Sequence, residues 1–536
     1  LLLRAASVFG ETFWKGGVVT LLGGATKWTE SIGAKLDALV AREVFVRHEE
    51  SRFPGEHELA FRHALLREGA YSTLVGHDHT VGHRLAGAWL RERGESDPMV
   101  LAEHFERGGQ PAKAEVHYLR AAQQAFLGGD LGATLARADQ GLACVADGQH
   151  RLDLFDVRAR TLYSLGELDG SAAQAEEILR LAPRWSRAFC VALAGKLLLA
   201  QFHGRPQAIV EVMGEFGDVA PSAENAASLL HLCWVLQVVV TITERLDLIE
   251  HHFELSEQAF REASPQDLIA QAYIAAIRSE RARFVEGDPW KAMNLMKRSV
   301  AHFAEAGERT SGGLVRTNVG IIYTLLGAYD RAEAELRRSI ETMPGIERWT
   351  PRMVLVWTLA TSGAIEESAE AEAILEDTEQ TPGGVSLAGS TAIYSLLARG
   401  DHDGAARWAE AVLKLPPMFP RHRATTLAIL SSVRLSQGRV AEALAAAREA
   451  MGQEEPPSLR ADHEPLMRLV YVEALHATGD QEGARAALVI ARARLLGTAD
   501  KIGDPELRRS FLENVAENAR TIRLAEERLG PVSRRG

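Results

Sequence analysis

Cysteine is nearly absent from this 536-residue chain. Cys144, Cys190 and Cys233 are isolated, widely spaced and odd in number, a pattern that fits buried thiols in a reducing compartment better than a disulfide framework or a zinc site. Aromatic residues make up only 6%, as expected for helices that pack through alanine and leucine. Long apolar runs are also missing. The longest, Leu229–Ile242, has fourteen residues interrupted by His231 and Gln237, where a membrane span needs about 20, so a buried helix is expected and no membrane partner. No secretory leader is visible, and a cytoplasmic location is expected. Sixty basic against 72 acidic residues, a formal charge of −12, argue against a general binder of nucleic acid or anionic membrane.

Catalytic signatures are missing too. Gly195–Lys196 lacks both the earlier glycine and the following hydroxyl residue of a phosphate-binding loop. No kinase catalytic loop, H-E-x-x-H helix or G-x-S-x-G elbow occurs, so no residue set marks this chain as an enzyme and none marks a cofactor site.

What is present is repetition. Arg316–Pro344 reads as one helical hairpin, with Gly320 and Tyr323 on one face of a first helix and Gly327–Ala328–Tyr329 as the turn. Ala332, Leu336 and Ser339 line one face of a second helix, which Pro344 stops. Small side chains at Gly320 and Ala332 allow close approach, with Tyr323 and Tyr329 filling the remaining space. The spacing resembles the tetratricopeptide repeat. Turn glycines recur at Gly109, Gly129, Gly166, Gly204, Gly287, Gly327, Gly363, Gly400, Gly438 and Gly479, and most steps fall within 36 to 42 residues. The longer gap between Gly204 and Gly287 accommodates a hidden turn near Arg245–Asp247. A small residue follows the glycine by five at Ala114, Ser171, Ala292, Ala332, Ser368, Ala405, Ala443 and Ala484. At Gly129 and Gly204 the match shifts to four, at Ala133 and Ala208. Stops recur at Pro183, Pro344 and Pro416–Pro417.

The expected fold class is therefore all-α: residues 76–503 as an array of about ten or eleven hairpins forming a right-handed superhelix, 504–530 as closing helices, and 531–536 as a disordered tip. Glu506, Arg508, Arg509 and Glu513 supply the polar face that an array end requires.

Residues 1–75 differ in period. Leu2, Leu3, Ala6 and Phe9 have helical spacing, and Leu36, Leu39 and Val40 mark another helix within Ile32–Val40. Residues 44–48 and 58–63 alternate about the turn cluster Ser51–Gly55, which predicts a β-hairpin with a polar tip and, with the helices, a winged-helix unit. The segments AASVFGETFW, LDALVAREVFVR and FRHALLREGAYSTL resemble the winged-helix region of bacterial STAND signalling ATPases, closely over residues 1 to about 105. SFLENVAENARTIRLAEERLG resembles the terminus of such ATPase–repeat proteins. The resemblance implies a nucleotide-binding P-loop module in cis upstream, some relatives carrying a serine/threonine kinase or cyclase domain as well; ATP would belong to that region. The chain starts at Leu1 without an initiator methionine and inside an apolar pattern, and reads as the C-terminal part of a longer protein.

The implied function is a sensor and protein-interaction module whose partner is a protein or peptide in a concave groove. The alternative is a transcriptional regulator whose winged helix reads DNA. Residues 1–75 hold nine basic and nine acidic residues, and this neutrality favours an intramolecular role over phosphate contact.

Among candidate site residues, Asn318 occupies the position that faces the groove in peptide-binding tetratricopeptide repeats. Arg316 and Arg352 could add charge for an acidic ligand, although the Lys/Asn set of a full carboxylate clamp is missing. His77, His79 and His83 form the densest histidine group, and one helical turn separates His79 from His83. Without a nearby cysteine, surface or packing roles are the expectation, and no metal is assigned. Core packing is expected for Trp185, Trp234, Trp290, Trp349, Trp357 and Trp408.

Overall fold

The computed structural model describes all residues except 25, 145–147, 203–211, 213–218, 244–245, 344, 366–372, 374–383, 415–419, 453–461 and 531–536. Among the described residues are 26 α-helices and one three-stranded sheet. The chain forms two compact units, Leu1–Leu181 and Ala182–Gly536. Gly204, Ala208, Pro344, Ser368, Pro416–Pro417 and Pro531–Gly536 lie outside the described residues.

The first unit opens with α1 (Leu2–Phe9), β1 (Thr12–Trp14), α2 (Lys15–Leu21), α3 (Thr26–Ala41), β2 (Phe45–Arg47) and β3 (Glu58–Phe61). The expected hairpin is β2–β3, antiparallel with Phe45 opposite Phe61. The third strand was not foreseen: β1 pairs with the other edge of β3, giving the order β1-β3-β2. Three residues are too few to show a period. Alternation sends Phe13, Phe45 and Phe61 to one face, where their rings lie 4.7 to 5.6 Å apart.

The expected polar tip is corrected by the structure. Phe53 is buried, 4.7 Å from the Trp14 ring and 5.7 Å from that of Trp89. Arg52 pairs with buried Glu95 at 2.7 Å, and Glu58 accepts from the Trp14 indole at 3.0 Å and from the Arg52 backbone at 2.8 Å. After α4 (Ala64–Ser72) come α5 (Gly76–Glu92), α6 (Pro98–Arg107), α7 (Pro111–Leu127), α8 (Leu131–Cys144), α9 (Gln149–Ser164) and α10 (Leu168–Leu181). One apolar core runs from Ala5 through the sheet to Ala114 and Tyr118, so the first hairpin helices share it with the sheet. Helix α10 ends at Leu181, just before Pro183.

The second unit continues in hairpins. Its helices are α11 (Arg187–Phe202), α12 (Ala226–Thr243), α13 (Leu246–Glu262), α14 (Leu268–Phe284), α15 (Pro289–Glu305), α16 (Arg309–Leu325), α17 (Tyr329–Thr342) and α18 (Trp349–Ser362). They are followed by α19 (Gly384–Ala398), α20 (His402–Lys414), α21 (Pro420–Ser436), α22 (Val440–Met451), α23 (Glu464–Ala477), α24 (Gln481–Lys501), α25 (Pro505–Glu513) and α26 (Ala516–Leu529). The hidden turn expected near Arg245–Asp247 falls partly on residues 244–245, outside the described residues, between α12 and α13.

The hairpin chemistry is uniform. All nine described turn glycines have φ between 57° and 88°, the left-handed region that a Cβ disfavours. At Gly327 the turn closes with Gly327 N–H to Thr324 O and Ala328 N–H to Tyr323 O. Ala114, Ala292, Ala332, Ala405 and Ala443 are fully buried, and Ala484 and Ser171 nearly so. After Gly129 the register is corrected: Ala133 is half-buried, and Thr134, five residues on, is fully buried. Its hydroxyl donates to Asp130 O at 2.7 Å, which lets a threonine stand where other hairpins use alanine.

At the central hairpin, a Cβ placed on Gly320 would lie 2.6 Å from Leu336 Cγ. Gly320→Ala gains about 1 kcal/mol of helix propensity but overpacks the contact by about 1–3 kcal/mol. The expected net effect is destabilisation, with a lower unfolding midpoint in a thermal melt; an unchanged or raised midpoint would show that Leu336 yields freely.

Candidate functional site

A cavity of about 870 Å³ lies within the second unit, a size suited to a small ligand or a short peptide segment. Its walls come from helices far apart in sequence. Helix α16 supplies Ile322 and Leu325, α18 supplies Trp357 and Thr361, and α19 supplies Tyr394 and Ala398. Tyr329 begins α17, His463 caps α23, and α24 presents Ile490, Arg494, Gly497 and Lys501 at helical spacing. Glu517, Asn518 and Thr521 of α26 complete it.

The C-terminal helices close this space by gripping hairpin turns made some 170 to 215 residues earlier. Ser510 Oγ and Asn514 Nδ2 donate to Gly327 O at 2.7 and 3.1 Å, and Tyr329 OH donates to Asn514 O at 3.4 Å. Lys501 Nζ donates to Glu286 O and Gly287 O at 2.7 and 3.1 Å. Arg331 pairs with Glu506. Buried Arg283 is neutralised by Asp462, with Nε to Oδ1 at 2.8 Å. The expected polar face is there, since Glu506, Arg509 and Glu513 are exposed, but its helices also fold back on earlier hairpins.

Electrostatically the cavity holds one unusual group. Among the described residues no ion pair reaches the Glu517 carboxylate; burial raises its pKa, and a hydrogen bond from its own backbone N–H partly offsets that. Burial and the Glu517 charge together push the Tyr329 hydroxyl up to about 12 and raise that of Tyr394 as well. Neither the Trp357 Nε1–H nor Oδ1 of fully buried Asn518 has a hydrogen-bond partner. His463 lies 6.0 Å from Trp357, ring centre to ring centre. These positions correct two sequence expectations. Trp357 is a cavity wall rather than core, and Tyr329 lines the cavity and holds the closing helices rather than filling space between α16 and α17. No spacing signal could have joined residues 329, 357, 394 and 517, which meet only because the unit closes.

The residues singled out from sequence stand elsewhere. Arg316 on α16 is held by Glu335 of α17 at 2.8 Å. Asn318 is half-buried, one turn before the wall residue Ile322. Arg352 lies in the first turn of α18. None of the three lines the cavity.

In the first unit the histidine group resolves into packing. His77 is exposed, the His79 ring stands against Tyr71 at 4.5 Å, and His83 is buried. His83 Nε2 meets Tyr71 OH at 2.7 Å and its Nδ1 meets His104 Nδ1 at 3.0 Å. Among the described residues no cluster of three or more His, Cys, Asp or Glu is arranged to hold a metal ion. Of the thiols, Cys190 and Cys233 are buried and pushed up to about 12 by desolvation, as the reading of buried thiols required; Cys144 is half-exposed. No helix of the described residues is long and apolar enough to cross a membrane.

No protein-family model and no curated protein matches the chain. Solved structures do. Yeast Tom70 is 11% identical, over 85% of this chain and 96% of that one, with a TM-score of 0.32. NprR in complex with its cognate peptide NprX is 13% identical, over 63% and 98%, at 0.41. A Rap protein complexed with Competence and Sporulation Factor is 10% identical, over 64% and 99%, at 0.42. Overlays this loose concern the helical-repeat fold alone. The chain's own hairpins define it as an all-α, tetratricopeptide-like array with a small sheet-bearing unit.

Burial holds His83 down to about 3 and His104 to about 4, against 6.5 when unfolded, and the neighbouring Arg107 lowers both further. The unfolded chain therefore binds more protons than the folded chain between about pH 6.5 and 4. Stability is complete above that window and falls by about 1.4 kcal/mol per pH unit per histidine on acidification. Urea unfolding followed by tryptophan fluorescence at pH 7, 6 and 5 should show this loss. His104→Asn should reduce its slope, with His83 and His117, which burial also holds down, supplying part of what remains.

Proposed function

We propose that the chain is the sensing and protein-interaction module of a larger signalling protein, and that the second unit receives a peptide or protein segment in its cavity. The observation that carries this reading is the cavity itself, closed by Lys501 at the end of α24 against the turn at Gly287 and by α25 against the turn at Gly327 rather than by neighbouring repeats alone. A ligand that binds the closed and open arrangements with different affinity shifts their populations, which is the requirement for a switch.

Residues 1–75 are the proposed winged-helix unit, 76–503 the array and 504–530 its closing helices. The helix–strand–helix–helix–strand–strand order, with β3 central, supports the winged-helix reading. Its hairpin is unsuited to DNA. Arg47 is paired with Asp37, Arg52 with Glu95 and Arg62 with Glu43, which leaves few free cations for phosphate. Helix α4 buries no residue and exposes Leu65 and Leu66, an apolar face suited to a neighbouring domain. In this proposal that neighbour is a nucleotide-binding ATPase module in cis, with or without a serine/threonine kinase, in a bacterial cytoplasm. The reading rests on the resemblance of residues 1–105 to STAND proteins. Asn318, with Arg316 and Arg352, remains the proposed contact surface for a partner outside the cavity.

Gly497 provides the test, because it lines the cavity and a Cβ there meets nothing within 4 Å. Gly497→Trp should fill the space while leaving helix α24 intact. Peptides selected from a displayed library against the full chain should bind saturably by fluorescence anisotropy and lose at least about tenfold in affinity to this variant. Failure to select any peptide, or equal affinity for Gly497→Trp, counts against the sensor reading.

A further inference from the structure

Three exposed cations of the first unit gather near one aromatic pair without a counter-charge. Phe105 of α6 is fully buried. The Arg91 guanidinium of α5 lies 5.7 Å from its ring centre, and the Lys113 ammonium of α7 lies 5.5 Å from it. His117 stacks on the same ring, 5.5 Å away with the planes 16° apart. Lys113, His117 and Arg120 follow the i, i+4, i+7 spacing that places them on one face of α7. Arg91, Lys113 and Arg120 are all exposed. Among the described residues Arg91 and Arg120 form no ion pair, and Lys113 Nζ donates to the neutral Gln110 side chain at 3.1 Å.

Other arginines of this unit are matched, Arg93 with Glu56 at 3.1 Å, Arg107 with Glu103 at 3.4 Å and Arg158 with Asp139 at 3.2 Å. The acids nearest the three cations in sequence are engaged elsewhere or turned away. Glu103 is held by Arg107, Glu106 accepts from the Tyr118 hydroxyl, and Glu115 pairs with His150 at 2.9 Å. Glu92 follows Arg91 by one position, about 100° around the helix. His117 is only 8% exposed, and its Nδ1 has no hydrogen-bond partner. Burial lowers the His117 pKa first, and the charges of Arg120 and Arg91 lower it further, so both guanidinium groups act on this imbalanced spot.

Like charges gathered around a nearly buried, unsatisfied imidazole favour an anion. A cationic ligand would be repelled, and an apolar one would leave the charges as they are. A carboxylate carries one charge against three. A phosphate monoester brings a charge of about −1.5 to −2 and three acceptor oxygens, which match forked guanidinium donors. We propose that this face of the first unit is a phosphate-binding site, in which Arg91, Lys113 and Arg120 hold the phosphate beside the Phe105–His117 stack. Phe105 is a positioning residue, because its ring attracts the Arg91 and Lys113 side chains to one place. The phosphate comes either from free phosphate or from a phosphorylated side chain of a bound peptide. The site lies wholly in the first unit and stands whether or not the second-unit cavity receives a peptide.

Titration calorimetry on the full chain tests the two sources separately. Inorganic phosphate is the free probe, a capped pentapeptide centred on phosphoserine is the peptide probe, and acetate and the same peptide with serine are the controls. Saturable binding tighter than about 1 mM by at least one phosphate probe, with none for the controls, is the expected result. Phosphate binding as tightly as the peptide identifies a free phosphate as the source, and tighter peptide binding identifies a phosphorylated segment. Arg91→Gln and Arg120→Gln remove exposed side chains and should keep the parent's unfolding midpoint. Each should weaken binding at least about tenfold, while Lys35→Gln, an exposed cation of α3, should not change it. The bound probe should also raise the midpoint of the parent and not that of the Arg91→Gln/Arg120→Gln double variant. The assignment is overturned if neither phosphate probe binds, or if acetate or the serine peptide binds as tightly. It is equally overturned if folded Arg91→Gln and Arg120→Gln bind like the parent, or if Lys35→Gln weakens binding as much as they do.

Discussion

Contact between helices through a single methyl group, or through none, is the constraint on which this protein is built. Ala114, Ala292, Ala332, Ala405 and Ala443 are fully buried, and at Gly320 the partner Leu336 already occupies the space of a Cβ. Such contacts bring helix axes close over short distances, and each hairpin is then stabilised mainly by its neighbours. Left-handed glycines let consecutive helices reverse within three or four residues, and the turn carbonyls stay available. At Gly327 and Gly287 those carbonyls become the grips for the C-terminal segment. The same local geometry therefore builds the array and supplies the polar atoms that close it.

Both units balance charge internally. In the first, the hairpin arginines are neutralised by Asp37, Glu43 and Glu95, and Arg52 also lies over the Trp14 ring at 5.0 Å. That chemistry secures a small domain and leaves little free charge on its hairpin. In the second, Arg283, Arg468, Arg494 and Lys501 line the cavity together with Glu286, Asp462, Glu464 and Glu517, so its formal charges balance.

The array was legible in the sequence because its determinants are local. A glycine, a small residue five positions later and a proline stop report on backbone conformation and nearest-neighbour packing, which a linear pattern can encode. Even the apparent irregularity at Ala133 came from reading residue size alone, since Thr134 satisfies its own hydroxyl within the helix. The three-residue strand β1 and the buried Phe53 were not legible, because one depends on pairing across 44 to 48 residues and the other on Trp89. The cavity was hidden most completely. Tyr329 and Trp357 looked like packing residues, and they line a common space only because Ser510 and Asn514 fix α25 on the turn at Gly327.

That grip also imposes an order of events. Hairpin contacts join residues a few tens of positions apart and can form as each pair of helices becomes available, whereas Ser510 must find Gly327 across 183 residues. The contacts that complete the cavity thus carry a larger loop-closure cost than those within a hairpin. A Cβ at Gly327 would both strain the turn and lie 2.7 Å from Ser510 O, so a single backbone position governs the reversal of one hairpin and the docking of the lid. Any process that loosens α25 and α26 would open the site without unfolding the array beneath it.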